Sequence, residues 1–517
     1  MLKRMMLLAL CLLMLTGCQN GVPVASQTVV ELPQAASVYE APFGDAAMEY
    51  EAQATLFLPR RDGTRLIAQQ QTLTFSTARH GAETVVRALI KHPGNDTVAP
   101  LGGGVELTLT GNNPVEVSRD VCTVNLGPSC RQLDAKDFYQ VCQAITNTLT
   151  EFPDIQYVNI LASGSQVSLD VYGTLPVGTL TRRTGDDLDA IWNQASLAML
   201  NPGEDPAAQR LTLPMTLYFP TQSGIGILPE VRTITFEGQT PSQMTLGLLA
   251  ALVQGAQYLE DVPTLPRLTE LLLEEPSVEN LASGGGRVAT LQFQSGLNEA
   301  LLECNVTRSA LMASLTYTLT TCVPELTAVK VRIGDEWIQS VTPISLYTEQ
   351  MPIHFGEGLQ RRGDFSAMLL GYAKLYFAEG SRLRQSDRPV PCYEIQNPRY
   401  LLGQLMLGSQ TYDQVSRLEA VLPQGLSDAD IMGFAVQGDT LLCHLSEGFW
   451  QACEGMTEEE ERLMAYAMVN TLCASNQVKR VRFYFGGEQR EGWSGGVYWR
   501  GEFMKNSGIV IQSRQAR

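Results

Sequence analysis

Few of the side chains that usually carry catalysis are grouped in this sequence. Its four histidines lie far apart along the 517 residues, at His80, His92, His354 and His444. The spacings typical of a nucleophile elbow, a P-loop, a dinucleotide-binding glycine fingerprint or a zinc-protease helix do not occur. Two glycine triplets, 102–104 and 284–286, lack the following helix and lysine of a phosphate site and predict turns. We therefore predict no catalytic residue, no cofactor and no metal site.

Two further clusters each admit a structural and a functional interpretation. The glutamates at 458–461 are a candidate cation site, but they follow Thr457, and acidic residues in the first turn of a helix complement its dipole. We favour the start of a helix. Trp493, Tyr498 and Trp499 stand among glycines near the C-terminus. This pattern is typical of a loop that stacks on glycans and equally of an aromatic plug for a domain core, and both interpretations stay open.

The N-terminus predicts a covalent modification. Lys3 and Arg4 precede a short apolar run, and the run ends in Leu15-Thr16-Gly17-Cys18. This arrangement is typical of a signal peptide, and its last four residues resemble a bacterial lipobox. Cleavage before Cys18 and acylation of its sulfur would anchor the chain in a membrane. The alternative is an ordinary signal peptide with a chance cysteine.

The composition excludes some classes of protein. Lys and Arg number 37 against 54 Asp and Glu, a formal net charge of −17. This charge repels phosphate backbones, so we predict no nucleic-acid binding. Hydrophobic residues make up 44% of the chain, as in folded proteins. Because one core rarely exceeds about 250–300 residues, the length predicts several domains.

The cysteines give little evidence of a disulfide framework. The chain has 11 cysteines, and without Cys11 of the signal and Cys18 of the lipobox an odd number remains. No two have the Cys-x-x-Cys spacing, and Cys142 and Cys443 lie in apolar periodic segments. We predict that most are small buried apolar residues and leave one loop disulfide open.

A repeated pattern organises the rest of the chain. Each copy begins with a short apolar strand, and the three openings lie about 160 residues apart, at Leu56–Pro59, Leu217–Pro220 and Leu375–Ala378. A second strand, a helix and a closing strand follow in the same order. The helices end alike, at Asn147–Thr150, Tyr317–Thr320 and Asn470–Cys473. In the second copy, Thr240 and Pro241 start a further helix that ends near Gly255, and 268–273 reads as a strand.

The repeats predict a fold class and domain boundaries. Two helices laid on a small, mostly antiparallel sheet give an α+β fold of three tandem two-layer repeats. The predicted segments are a signal peptide 1–18, a tether 19–50, domain 1 at 51–172, a linker with a helix at 173–211, domain 2 at 212–338, a linker at 339–371, domain 3 at 372–490 and a Gly/aromatic tail at 491–517. We expect Leu149, Leu319 and Leu472 to be buried at the same place in three separate cores.

These motifs resemble the GerMN domain of sporulation and spore germination lipoproteins. The second copy carries the resemblance best, through Leu217–Pro220, Leu228–Arg232, the helix 243–255 and Tyr317–Thr320. The third copy matches at Val421–Gly425, Leu445-Ser446, Val469–Leu472 and Val478–Val481. The first is weaker, because Gln69–Gln71 stands where the others have a Leu-Pro motif.

The resemblance implies a non-enzymatic protein at the outer face of the cell membrane. It implies domains similar to the ring-building motifs of secretion systems, and envelope or sporulation-channel proteins as partners. A homo-oligomer is left open. Three copies, where the family's type protein has two, are a departure. The alternatives are a binding module that modulates an envelope sensor kinase and a protein that binds or hydrolyses cell-wall glycans.

Overall fold

One order of elements occurs three times in the computed structural model, which describes residues 40–183, 185, 187–344, 351–474 and 478–512. Each repeat has an opening hairpin, a helix, two further antiparallel strands, a 15-residue helix and a closing strand. The mixed α+β class and the tandem repetition agree with the sequence prediction. The predicted tether and lipobox, up to residue 39, lie outside the described residues.

The elements of the first repeat are as follows. They are β1 (Glu49–Pro59), β2 (Leu66–Ser76), α1 (Ala82–Lys91), β3 (Val115–Ser118), β4 (Val121–Leu126), α2 (Ala135–Leu149), β5 (Tyr157–Ala162) and β6 (Ser165–Gln166). The helix α3 (Leu188–Ser196) follows in the predicted linker, capped by the Asp187 side chain.

The second repeat has the same order with one additional short helix. It comprises β7 (Leu211–Pro220), β8 (Ile227–Phe236), α4 (Pro241–Val253), β9 (Ser277–Asn280), β10 (Arg287–Phe293), α5 (Leu297–Glu303), α6 (Arg308–Cys322), β11 (Leu326–Ile333) and β12 (Glu336–Trp337). The predicted strand 268–273 is wrong. Its first four residues form a turn, Leu272 makes only an isolated bridge to Phe293, and the strand of this segment is β9.

The third repeat follows a small two-stranded sheet in the second linker. That sheet consists of β13 (Ser340–Val341) and β14 (Ile353–His354). The repeat comprises β15 (Leu370–Glu379), β16 (Arg382–Pro391), α7 (Pro398–Met406), β17 (Ile431–Gln437), β18 (Thr440–Leu445), α8 (Glu447–Ala452), α9 (Glu458–Leu472), β19 (Arg480–Phe485) and β20 (Phe503–Met504).

Each repeat contains two sheets. The opening hairpin forms a two-stranded antiparallel sheet, and the other strands form a four-stranded sheet, in the orders β3-β4-β5-β6, β12-β11-β10-β9 and β17-β18-β19-β20. The pairs β4–β5, β10–β11 and β18–β19 are parallel, since the 15-residue helix carries the chain back across the sheet. The other pairs are antiparallel.

The long helices begin at matching caps and hold the opening hairpins. The side chains of Asp134, Thr307 and Thr457 accept the first backbone N–H bonds of α2, α6 and α9. Near the helix ends, Thr148 accepts a hydrogen bond from the backbone N of Phe57 at 2.9 Å. Thr318 accepts the corresponding bond from Tyr218 at 3.0 Å. In the first two repeats this Thr therefore fastens the first strand to the helix, whereas the buried hydroxyl of Thr471 in the third repeat has no hydrogen-bond partner among the described residues.

The prediction for the three leucines is confirmed, but that of three separate cores is wrong. Leu149, Leu319 and Leu472 are all buried, with at most 3% of their surface exposed. The apolar side chains of the first and second repeats form one continuous core, which also includes Leu370 and Cys392 at the end of the third hairpin, whereas most of the third repeat packs in a core of its own. The linkers 173–211 and 339–371 contribute buried residues to the shared core and thereby join the first two repeats.

Buried polar contacts join the first two repeats. Arg362, from the second linker, forms a buried ion pair with Glu116 of the first repeat at 2.7 Å. Its guanidinium also bonds Thr321 at 2.7 Å and lies 3.9 Å from the ring centroid of Tyr317, both in the second repeat. Because breaking a buried pair exposes the remaining charge to an apolar environment, this contact couples the two repeats.

The C-terminal segment 491–517 contributes to the third repeat. The Trp499 ring is fully buried and meets Phe483 edge-on at 5.2 Å between ring centroids, and Phe503 lies on β20. Trp493 stacks on Trp450 at 3.9 Å. Of the two interpretations of these aromatics, the structure supports the plug for Trp493 and Trp499, whereas Tyr498 is exposed.

Candidate functional site

The side chains singled out in the sequence do not meet in one place. His80 bonds Asp154, His92 accepts a bond from the backbone N of Gly94, and His444 contacts the carbonyl of Pro42 at 2.8 Å. Within the described residues, no three metal-ligating side chains form a cluster. Both glycine triplets form turns with positive φ, as predicted. Cys18 lies outside the described residues.

The glutamate run starts a helix, as favoured. Glu460 completes a capping box with Thr457 at the start of α9. Glu461 is buried and accepts hydrogen bonds from the Trp499 ring N–H at 2.7 Å and the backbone N of Trp493 at 3.0 Å. Glu461 therefore binds the C-terminal plug.

The nine cysteines of the described chain carry free thiols, and eight of them are buried. Burial raises the pKa of Cys322 to about 12 and that of Cys130 to about 11. These values keep the sulfurs protonated at neutral pH, so they act as small apolar residues.

A buried arginine recurs in two of the opening hairpins. Leu217 pairs with Glu230, and Leu375 pairs with Ser386, so Arg232 of β8 and Arg388 of β16 occupy the same register. Arg232 bonds Glu230 at 2.6 Å and donates to the carbonyl of Gly255, just beyond α4. A cation there satisfies a carbonyl at the negative end of the helix dipole.

Arg388 makes the corresponding contacts in the third repeat. It is fully buried, forms a two-pronged ion pair with Asp413 at 2.7 and 2.8 Å, and donates to the carbonyls of Gln404 and Gly408 at the end of α7. Its guanidinium lies 5.6 Å from the ring centroid of Phe377. The second hairpin strand is thus tied to the following helix.

The first repeat lacks this arginine. Leu56 pairs with Gln69, so the equivalent position is Gln71, whose side chain is exposed. The aromatic partner is missing too, because Leu58 stands where the other hairpins have Phe219 and Phe377. The arginine and its ring are present together or absent together, as expected of a cation–π pair.

The outer edges of the three hairpins differ in the same way. Residue Ile227 of β8 bridges Leu369. On β16, the carbonyl of Asp387 accepts from the backbone N of Gln414 at 2.9 Å, and that of Leu383 accepts from Ile511. Both strands also contain proline and charged residues, the usual means of blocking an edge.

The strand β2 has none of these protections. Its 11 residues, LIAQQQTLTFS, include neither a charged residue nor a proline. Within the described chain β2 pairs with β1 alone. The one other hydrogen bond to its backbone is local, since the side-chain amide of Gln69 donates to the carbonyl of Ala68. At about 3.3 Å per residue, the edge is about 36 Å long. We call β2 the open edge.

The open edge has a polar, solvent-exposed face. Gln70, Thr72 and Thr74 are exposed, and Gln70 and Thr72 bond across to Thr55 and Gln53 of β1. Unpaired N–H and C=O groups along such a strand can pair with a strand of another chain. The sequence contained one signal of this site, the replacement of the Leu-Pro motif by Gln69–Gln71. It did not reveal the buried arginines, whose backbone carbonyl partners lie at or just beyond the end of the following helix.

A comparison with protein families matches two of the repeats. The family described as "Germane: Sporulation and spore germination" matches residues 55–168 and 374–491, the first and third repeats. The second repeat, which we expected to carry the resemblance best, lies outside the matched residues, so that expectation is wrong. No curated protein matches the chain.

Three solved structures, from two bacteria, are similar to parts of the chain. The tandem GerMN domains of the sporulation protein GerM from Bacillus subtilis are 17% identical and cover 60% of this chain and 99% of their own, with a TM-score of 0.21. A putative lipoprotein from Clostridium perfringens is 18% identical over 28% of this chain and 95% of its own, with a TM-score of 0.18. The first GerMN domain of GerM alone is 19% identical over 26% of this chain and 96% of its own, with a TM-score of 0.19.

Proposed function

We propose that this chain, whose first and third repeats match the model of a sporulation and spore germination family, supports assembly of an envelope complex by accepting a strand from another protein at its open edge. The proposal assigns no chemical step to the chain. The second and third hairpins are packed into their repeats and serve as structural elements. The first hairpin has a free strand edge and binds the partner strand.

The open edge carries this proposal. Of the three opening hairpins in the described residues, the first alone has a second strand with no proline, no charged residue and no backbone bridge to another segment. Backbone pairing supplies affinity in strand addition, and alternate side chains supply specificity. A partner strand with small polar side chains facing Gln70, Thr72 and Thr74 fits this edge.

We also propose that Cys18 is lipidated and holds the repeats at the outer face of the membrane. Among the described residues, no helix has the length and apolar character needed to cross a bilayer. The variant Cys18→Ala should move the protein from the membrane fraction to the soluble fraction, with an unchanged melting temperature, because the lipid site lies outside the repeats. Retention in the membrane after confirmed signal cleavage would contradict this anchoring.

The open edge can be tested with matched double variants in a sporulating host that lacks the native gene. Thr72→Lys with Thr74→Lys places two charges on the open edge. Thr233→Lys with Thr235→Lys places the same charges at the equivalent register of β8, where both threonines are also exposed. Spore yield and germination rate would be scored for each, with protein level and melting temperature as controls.

We expect the β2 variant to reproduce the deletion phenotype and the β8 variant to behave as wild type. Equal effects of the two variants, or full function of the β2 variant, would contradict the proposal. Hydrolysis of peptidoglycan by the purified chain would contradict the non-enzymatic role.

A further inference from the structure

The geometry points to a second binding site, a cavity between the first and third repeats that takes a small ring compound bearing a carboxylate. The cavity has a volume of about 570 Å³, within the range of small-molecule sites. It is separate from the open edge, since no residue of β2 lines it. Four aromatic side chains form much of its wall, Tyr50 and Phe152 from the first repeat and Tyr372 and Tyr393 from the third.

Two cationic side chains point to an anionic ligand. Arg119, in the turn between β3 and β4, and Lys374, on β15, both line the cavity. Within the described residues neither forms an ion pair or a side-chain hydrogen bond, although the chain has 54 acidic residues against 37 basic ones. Both side chains are solvent-exposed, and the lining holds these two cations against one carboxylate, that of Asp154, so the cavity offers two cationic groups to an anion. A carboxylate is the natural partner of such a pair.

The backbone at Arg119 is strained. Its φ is 55°, in the left-handed region that favours glycine. The equivalent turn of the third repeat, between β17 and β18, places Gly438 there with a φ of 61°. An arginine kept where glycine fits best suggests that its side chain is needed.

Asp154 is the one acidic residue that lines this cavity, and it is already engaged. Asp387 stands opposite Lys374 in the hairpin, and Glu260 and Asp261 line a neighbouring cavity with Arg119, but among the described residues none of the three forms an ion pair with either cation. The ring Nδ1 of His80 accepts a bond from the backbone N of Ala82 at 3.1 Å, so the proton of the neutral ring lies on Nε2. That Nε2–H donates to Asp154 at 3.0 Å. Burial opposes the charge of Asp154, but this hydrogen bond and the nearby Lys374 hold the pKa of its carboxyl below the ordinary value. The pair forms a polar wall and leaves Arg119 available.

The tyrosines supply ring faces and hydroxyl donors. Burial raises the pKa of Tyr50, Tyr372 and Tyr393, so their hydroxyls stay protonated. Within the described chain none of these hydroxyls has a hydrogen-bond partner. Aromatic faces stack on flat rings and on the C–H faces of sugars. The shared chemistry is therefore a ring with a carboxylate, found in aromatic acids and in acidic sugars.

Isothermal titration of the purified full chain distinguishes the two sources. Benzoate and glucuronate serve as probes, with benzyl alcohol and glucose as neutral analogues. We expect one of the two acids to bind with 1:1 stoichiometry and its neutral analogue to bind at least about tenfold more weakly, the effect of one charge-assisted bond. Binding of benzoate alone identifies an aromatic acid, and binding of glucuronate alone identifies an acidic sugar.

Two variants separate a ligand-binding Arg119 from a structural one. Arg119→Gly relieves the turn, so the melting temperature should not fall, while binding should weaken by about tenfold or more. Arg417→Gly is the matched control, because Arg417 also has a positive φ, of 63°, and does not line the cavity. It should leave binding unchanged.

Lys374→Gln should weaken binding to a similar degree as Arg119→Gly. Absence of binding by both acids, or binding that survives Arg119→Gly and Lys374→Gln, would overturn the inference. Neither outcome bears on the open edge, whose test uses other residues and another readout.

Discussion

The opening hairpins of the third and first repeats share a register but differ in what holds them. In the third, Arg388 runs from β16 into a buried pocket, pairs with Asp413 and bonds the end of α7, and neighbouring segments cover the strand edge. In the first, Gln71 occupies that position in contact with solvent, and the edge of β2 is uncovered. One position thus decides whether the second strand is tied to its repeat.

The difference shows how repeats of one fold can divide their roles. An arginine with two buried partners makes a hairpin part of the core, at the cost of its ability to pair elsewhere. Loss of the arginine, of its aromatic partner and of the edge charges leaves a strand supported by β1 and by packing on α1. Such a strand can exchange solvent for a partner without breaking internal contacts.

The largest expected effect comes from Arg388→Ala. It leaves Asp413 charged and unpaired in a buried site, so the third repeat should lose about 3–5 kcal/mol of unfolding free energy. Denaturant unfolding followed by tryptophan fluorescence would measure it, since Trp450, Trp493 and Trp499 lie in this repeat. Arg384→Ala, on the same strand with a more exposed ion pair, is the control and should cost at most about 1 kcal/mol. Similar losses of unfolding free energy in the Arg388→Ala and Arg384→Ala variants would contradict the proposal that Arg388 ties β16 to its repeat.

Leu319→Ala tests the comparison of the cores. Removing this buried side chain should destabilise its domain by about 2–5 kcal/mol. Because the first two repeats share one core, hydrogen exchange should accelerate in both α2 and α6 and stay unchanged in α9. Acceleration confined to the second repeat would show that the cores are independent after all.

A smaller effect is expected from pH at Glu461. Burial opposes its ionisation, but hydrogen bonds from Ser494 and Trp499 hold the pKa of its carboxyl below the ordinary value. A lowered folded-state pKa contributes stability that is present at neutral pH and is lost as the pH falls below the range of an unfolded glutamate, about 4.3. Melting of the third repeat between pH 7 and pH 3 should therefore show a steeper loss in wild type than in Glu461→Gln. Parallel pH profiles would argue against this anchor.

Local patterns predicted the repeated elements, and long-range partners escaped them. The apolar stripes predicted the helices that contain Leu149, Leu319 and Leu472, and the glutamates after Thr457 predicted the start of a helix. Both predictions succeeded because each signal is formed by residues only a few positions apart in the sequence.

The junction of the first two repeats includes Arg362, which pairs with Glu116 across 246 residues of sequence. Nothing near Arg362 in the sequence indicates that partner. The open edge was visible only as an oddity at Gln69–Gln71. The edge can be recognised as uncovered only when the segments that cover β8 and β16 are known. Those segments contact the strands through Leu369, Gln414 and Ile511, which lie far from the strands or in irregular regions of the sequence.

Photo-crosslinking in sporulating cells tests the central claim most directly. A photoreactive amino acid would replace Thr72 of the open edge in one strain and Thr233 of β8 in another, both exposed and at the same register. If the first hairpin accepts a strand from another protein, irradiation should yield a discrete crosslinked adduct from position 72 and none from position 233. Adducts from position 233 alone, or the same adducts from both positions, would contradict the account.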